Sequence, residues 1–368
     1  MTLVCLCFRA HRAWRFRDYN YFDVGRRHDY FGLEENRRRV ERLASHRYGP
    51  AARLLSTLLE RHPGFAFALG LSSPLIDQLQ AFAPDVVAGF RGLFRTGRVE
   101  PLASTSHRSL AWTVSPRESE RQILRHRDHL REAFGKTAAF FGGEPMTDLP
   151  TLAAFLETHD FRGIVLEGGP AGEDADASAW RRAPTARGLP LLMTRPPRFD
   201  RRLAEPPGSV LCLSMDVEVL AASDAGAGLS AAFADWVGAI SGRRDVSFAT
   251  PSEAVERSRP GDRSPGAGVP SARATNELQR DAWERLASLE PAFGDGGAGP
   301  EAEDFRRLTS ADHFERMALR PAGSSPASRD PDVPYEAYMV FRHALEDLGR
   351  RQISPLRPLE SGARQPAV

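Results

Sequence analysis

Short apolar runs alternate with stretches of helical spacing along most of this chain, and the alternation predicts an architecture before any single residue is considered. Leu3 to Phe8 and Val210 to Leu213 show no polar face, the pattern of strands buried on both sides in a parallel sheet. Similar runs at Phe65–Leu71, Val99–Ala103, Ala138–Phe141, Gly163–Leu166 and Val246–Ala249 predict further strands, with a weaker one at Leu189–Thr194. Helical spacing separates them at Glu34–His46, Ala51–Arg61, Pro74–Phe82, Pro84–Thr96, Pro116–Phe134, Leu149–His159 and Leu229–Ile240. Strand, crossover helix, strand is the rhythm of a parallel α/β barrel, here of seven strands, and residues 1–256 are assigned to it. Residues 257–274, rich in Pro, Gly, Ser and Arg, read as a linker. Amphipathic segments at Asn276–Leu289, Phe305–Leu319 and Pro334–Arg350 predict a C-terminal helical region over 275–352, docked through Leu278, Trp283, Leu286, Phe314 and Met317, before a loose tail at 353–368.

Composition narrows the partners. The 49 basic and 48 acidic residues leave a net charge of +1, so no overall field draws nucleic acid or an anionic membrane. No apolar run approaches the length of a membrane span. Cys5, Cys7 and Cys212 are odd in number and sit inside apolar runs, which argues against a disulfide framework and for a cytoplasmic location.

Candidate chemistry gathers where the strands end. His11 follows the first strand, Ser104 to His107 the third, Glu144 the fourth, and Asp216 the run beginning at Val210. All four belong to the C-terminal rim of a parallel barrel, where catalytic groups of that architecture sit. If the extended conformation continues past Asp216, Glu218 points the same way one pleat on; the plainer reading is a helix-capping Asp with a solvated Glu. The segment from His11 to Tyr30 interleaves arginines with Trp14, Phe16, Tyr19, Tyr21, Phe22 and Tyr30, a mixture suited either to stacking on rings or, more plainly, to packing on the body. His126 and His129 share a predicted surface helix with Arg125 and Arg127 and read as solvated.

These residues carry a resemblance. LCLCFRAHRAWRFR at the start, the run from AFALGLSSP to RTGRVEPLAS, FGKTAAFFGGE, SMDVEVL, FATPSEAVE and LTSADHFERM resemble glycoside hydrolase family 57, the α-amylase and α-glucanotransferase group. The resemblance implies a (β/α)7 barrel with a C-terminal helical region and a retaining mechanism on α-linked glucans or maltooligosaccharides, with no cofactor and no catalytic metal. It places Glu144 at the nucleophile's position and Asp216 at the acid/base position, and His11, His107, Glu218 and Trp14, on the same rim, are read as the substrate contacts. The surroundings depart from the pattern. The family's His-Gln-Pro stands here as His11, Arg12, Ala13, its Glu-Thr-Tyr-Tyr-His-Ser run as Ser104 to Ser109, and the Arg and Asn before the nucleophile as Phe141 and Gly142. A non-catalytic glucan-binding or regulatory protein of the same fold is therefore the second reading. A metal-dependent carbohydrate deacetylase built on His11, His107 and Asp216 is the third.

Overall fold

The computed structural model describes residues 1–111, 115–143, 149–167, 180–183, 185, 187–197, 199, 208–221, 228–260, 276–293, 299–318 and 334–353. Most of the 257–274 segment and nearly all of the 353–368 tail lie outside these residues. The strands are β1 (Thr2–Ala10), β2 (Phe67–Leu71), β3 (Val99–Ala103), β4 (Phe140–Gly143), β5 (Gly163–Glu167), β6 (Arg181–Arg182), β7 (Pro190–Thr194), β8 (Val210–Asp216) and β9 (Val246–Phe248). The helices are α1 (Leu33–Leu43), α2 (Gly49–Arg61), α3 (Ser73–Phe82), α4 (Pro84–Arg95), α5 (Pro116–Phe134), α6 (Leu149–Thr158), α7 (Val217–Leu220), α8 (Gly228–Ser241), α9 (Pro251–Arg257), α10 (Glu277–Phe293), α11 (Pro300–Leu308), α12 (Ala311–Arg316) and α13 (Pro334–Ile353).

Seven parallel strands form a path in the order β7-β5-β4-β3-β2-β1-β8, with β6 antiparallel at the end beside β7. The weakly patterned 190–194 strand is one of the seven. By contrast β9 lies off this path, paired with Thr2 to Val4 at the start of β1. The ladder is not closed: between β7 and β8 a single parallel bridge, Arg195 to Leu213, spans the gap. Side chains nevertheless complete the interior. Cys5, Ala68, Leu102, Phe140, Val165, Leu192 and Cys212, one from each parallel strand, share one buried cluster. The alternate residues Val4, Leu6, Phe8, Leu211 and Leu213 join the larger core under the helices. That alternation of two buried faces is why these strands read as unbroken apolar runs.

Cys5, Cys7 and Cys212 are free and fully enclosed in this interior, and hydrogen bonding to the neighbouring thiols, together with burial, holds Cys5 well above its ordinary pKa. Native protein should therefore leave a thiol-reactive aromatic disulfide untouched over minutes, and all three thiols should titrate on denaturation. Rapid reaction of even one in the native state would contradict the packing.

Helix ends follow local chemistry. Ser115 caps α5 by accepting from the Glu118 N–H, Pro116 takes the first helical position, and Gly135 closes it in the left-handed region at φ 70°. Thr250 and Glu253 form a reciprocal capping box at α9.

The C-terminal helices make a second core, in which Leu286, Phe314, Met317, Phe341 and Leu348 pack around Tyr19, Val24 and Tyr30 from the segment after β1. Phe16, Tyr19 and Tyr30 of the aromatic segment thus pack on that core, as its plainer reading has it, whereas Tyr21 and Phe22 stand exposed. Leu278 and Trp283 lie at its edge. Asp347, wholly buried on α13, accepts from the Gly25 N–H at 2.6 Å, the Tyr30 hydroxyl at 2.6 Å and His28 Nδ1 at 2.7 Å. Three donors from the first rim segment meet one carboxylate from the last helix.

Candidate active site

Strand β8 stops at Asp216 and helix α7 begins at Val217. The extended conformation does not continue through the DVE triplet, so Asp216 and Glu218 do not sit one pleat apart. Asp216 occupies the N-cap position in backbone conformation only, at φ −76° and ψ 136°, and its side chain makes no capping bond. The carboxylate is 62% exposed, with Arg9 of the registered neighbouring strand at 3.8 Å. Glu218 is not solvated either. Arg12 Nη2 donates to both its oxygens, at 2.5 and 2.6 Å, and the Tyr48 hydroxyl donates to Oε1. The charge of Glu218 is thereby met by Arg12 rather than set bare beside Asp216. Burial opposes the charge on Arg12, but Tyr48 and Glu218 prevail and hold it above its ordinary pKa; burial pushes the Tyr48 phenol up, so it remains a donor.

His11 Nε2 lies 2.6 Å from Asp312 Oδ2, on α12 of the C-terminal region. Ser310 donates to the same carboxylate at 3.2 Å, and Arg108 stands 3.8 Å away. Burial alone would raise the Asp312 pKa; the hydrogen bond and charge of His11, then Arg108, more than reverse this and hold it well below the usual carboxylate range. Trp14 lies under the Arg307 guanidinium at 5.2 Å, edge-on to Phe82. His11 Nδ1, Trp14 Nε1, Ser72 Oγ and Gln78 Oε1 are buried polar atoms with no hydrogen-bond partner among the described residues. All four lie on the segments that follow β1 and β2, and buried groups of this kind are rare in folded proteins.

The run Ser104–Ser109 turns inward. Ser109 Oγ donates to Thr309 Oγ1 at 2.7 Å, Ser106 Oγ donates to the Gln122 carbonyl at 2.9 Å, and Ser109 bridges to Ser310. His107 is only 4% exposed, 3.6 Å from Glu303, and burial followed by the charge of Arg307 holds it well below its ordinary pKa. It supports the rim from beneath.

His126 corrects the reading of a solvated surface pair. It is fully buried, accepts the Ser104 N–H at Nδ1 (2.8 Å) and donates from Nε2 to the Leu71 carbonyl at 2.7 Å, and burial lowers it to about 4. A neutral imidazole therefore spans the ends of β2 and β3. His129 is partly exposed, 3.5 Å from Asp77.

Glu144 follows directly on Gly143, the last residue of β4, and lies outside the described residues. The strand end is crowded: a Cβ at Gly143 would sit 2.5 Å from the Phe141 ring. Among the described residues no three His, Cys, Asp or Glu side chains converge as a metal ion requires, and His11, His107 and Asp216 each face other partners. Sequence reasoning did not single out Asp312, Arg12 or Tyr48. Asp312 lies within LTSADHFERM, a segment whose resemblance was visible although the residue's partner was not.

Seven parallel strands in an open, barrel-like path, with Asp216 and the His11–Asp312 pair at their C-terminal ends and helices packed beside them, place this protein in the class of α/β-barrel folds that carry their sites on that rim. The chain belongs to glycosyl hydrolase family 57, whose sequence profile matches residues 5–193. Among solved structures it is similar to the α-amylase AmyC from Thermotoga maritima, with a TM-score of 0.66 at 10% identity over 96% of this chain and 94% of that one. It is also similar to a branching enzyme of the family from Thermococcus kodakaraensis, with a TM-score of 0.64 at 11% identity over 95% and 90%. The 4-α-glucanotransferase from Thermococcus litoralis matches with a TM-score of 0.61 at 12% identity over 85% of this chain, which spans 56% of that one. No curated protein matches by sequence.

Proposed function

We propose that this protein is a retaining glycoside hydrolase or glucanotransferase acting on α-linked glucans in the cytoplasm, with Glu144 as nucleophile and Asp216 as acid/base. One observation carries the reading: Asp216 ends a parallel barrel strand with its carboxyl exposed, neither capping its own helix nor buried in a structural pair. Glu144 attacks the anomeric carbon while Asp216 protonates the departing oxygen; Asp216 then deprotonates the water that releases the sugar. The chemistry needs two carboxyls about 5 to 5.5 Å apart and no metal. The family supplies the α-glucan as substrate class, with His11 and Trp14 on the β1 side of the rim as its sugar contacts. In this reading Glu218 and His107 act behind the contact surface.

A non-catalytic glucan-binding protein remains the second reading, favoured by the inward turn of Ser104–Ser109 onto the C-terminal helices. Asp216→Asn separates the two. Removing a positioned acid should lower kcat/KM on unactivated maltooligosaccharides by about 10²- to 10⁴-fold. Aryl α-glucosides with good leaving groups need no proton and should still form the glycosyl intermediate. A binder would show the same negligible turnover for wild type and Asp216→Asn on both substrates.

A further inference from the structure

Glu218 is held by two side chains to which the proposed chemistry gives no role. Arg12 grips both its oxygens, and Tyr48, completely buried and lying between α1 and α2 in the chain, donates to one of them. Tyr48 closes a π-helical turn, Ala44–Tyr48, in which the Gly49 N–H donates to the Ala44 carbonyl. A Cβ at residue 49 would lie 2.8 Å from that same oxygen, so the turn requires glycine there. Single π turns inside helical segments are uncommon and cluster at functional sites, where they redirect a side chain. The side chain redirected here is Tyr48.

Each member of the trio sits on a different segment of the rim. Arg12 follows His11, and its carbonyl accepts from Gln78 Nε2 at 3.0 Å. Glu218 lies in α7, the turn that begins immediately after Asp216. Asp216 has no such clamp, since its exposed carboxylate faces only Arg9 at 3.8 Å among the ion pairs of the described residues. Where Asp216 points is therefore set by the backbone of the turn, and the turn is anchored through Glu218.

We infer that Arg12 and Tyr48 are positioning residues that act through Glu218 to fix the turn carrying Asp216. The inference rests on the assignment of Asp216 as acid/base and goes beyond it by naming what aims that group. One guanidinium nitrogen shared between both oxygens, with a phenol on one of them, leaves the carboxylate little freedom to rotate. With the phenol gone, the carboxylate can pivot on Arg12, and a misplacement of about 1 Å at a reacting group costs on the order of 100-fold in rate.

Tyr48→Phe keeps the ring in the core and deletes only the donor. It should lower kcat on maltooligosaccharides by about 10- to 100-fold while KM stays within about twofold. Glu218→Gln should do the same, and the double variant should be no slower than Glu218→Gln alone, because both changes break one device. Arg12→Lys, which keeps the charge but not the planar guanidinium that brings Nη2 to both oxygens, should fall between wild type and these variants. Amide exchange over 217–220 should quicken in Tyr48→Phe. A wild-type kcat for Tyr48→Phe overturns the inference alone, as does a raised KM at unchanged kcat, which would make the trio a sugar contact. Multiplying effects in the double variant also overturn it. Wild-type turnover no higher than that of Glu144→Gln overturns the assignment of Asp216 and the inference together.

Discussion

Glu144→Gln should lower turnover on maltooligosaccharides by about six orders of magnitude, the scale seen when a catalytic nucleophile is removed, and leave affinity for the same sugars within about twofold. Gln preserves the volume and most of the hydrogen bonding of Glu, but an amide cannot form the glycosyl ester on which retention depends. Initial rates on a panel of starch, maltooligosaccharides and activated aryl α-glucosides, set beside calorimetric affinities for the same sugars, measure both halves of the expectation. A smaller variant, Glu144→Ala, should regain turnover of the activated substrate when azide is added. The azide bonds to the anomeric carbon from the face the carboxylate used, as the aryl oxide departs, giving a glycosyl azide of inverted configuration. Equal background rates for wild type and Glu144→Gln across the panel would sink the glycosidase reading.

Acid should destabilise the native protein through its buried imidazoles, and His126 isolates the effect. In the folded chain burial holds both His126 and His313 at about 4, against an ordinary 6.5. Between those values the unfolded chain binds protons that the folded chain refuses, so stability falls as pH falls from about 6.5 to about 4. Each such histidine costs the native state about 3 kcal/mol once the pH is below both values. Asp304 works in the opposite direction. Burial raises it to about 6, so the folded chain takes up its proton first and gains stability as pH falls from there towards 3.8. The clean measurement is therefore a difference. Denaturant unfolding of wild type and His126→Gln at pH 7 and pH 4 should show the gap between the two proteins shifting by about 3 kcal/mol against wild type at the lower pH. A gap independent of pH would mean that His126 is reached by solvent.

Several of these groups are visible in the sequence and several are not, and the difference is physical. Val210 to Leu213 is legible as a strand because both faces of β8 are buried and no polar residue interrupts it. Arg181–Arg182 carries no apolar signal, since its pairing with β7 rests on backbone bonds. Helix α5 is recognisable by its cap and by Gly135, yet its buried face is not, because Glu118, Gln122 and His126 recur on it at intervals of four and look like a solvated stripe. Each has a specific partner instead: Arg306 for Glu118, Thr309 for Gln122, and the ends of β2 and β3 for His126. The rim follows the same rule. His11 and Asp216 are legible from where strands end, whereas the pairing of His11 with Asp312, 301 positions away, and of Arg12 with Glu218, 206 away, is written in no local spacing.

The carboxylate of Asp347 and the Gly25 amide it accepts from are 322 residues apart in the chain. During synthesis at about 5 to 20 residues per second, the first rim segment leaves the ribosome on the order of tens of seconds before its partner exists. Tyr19 and Tyr30 spend that interval without the helices that bury them, beside a barrel that has begun to form. Closure of so long a loop is among the slower events a chain can undergo. The rim on the β1 side should therefore be the last part of the nascent protein to become protease-resistant, and the part for which a chaperone competes.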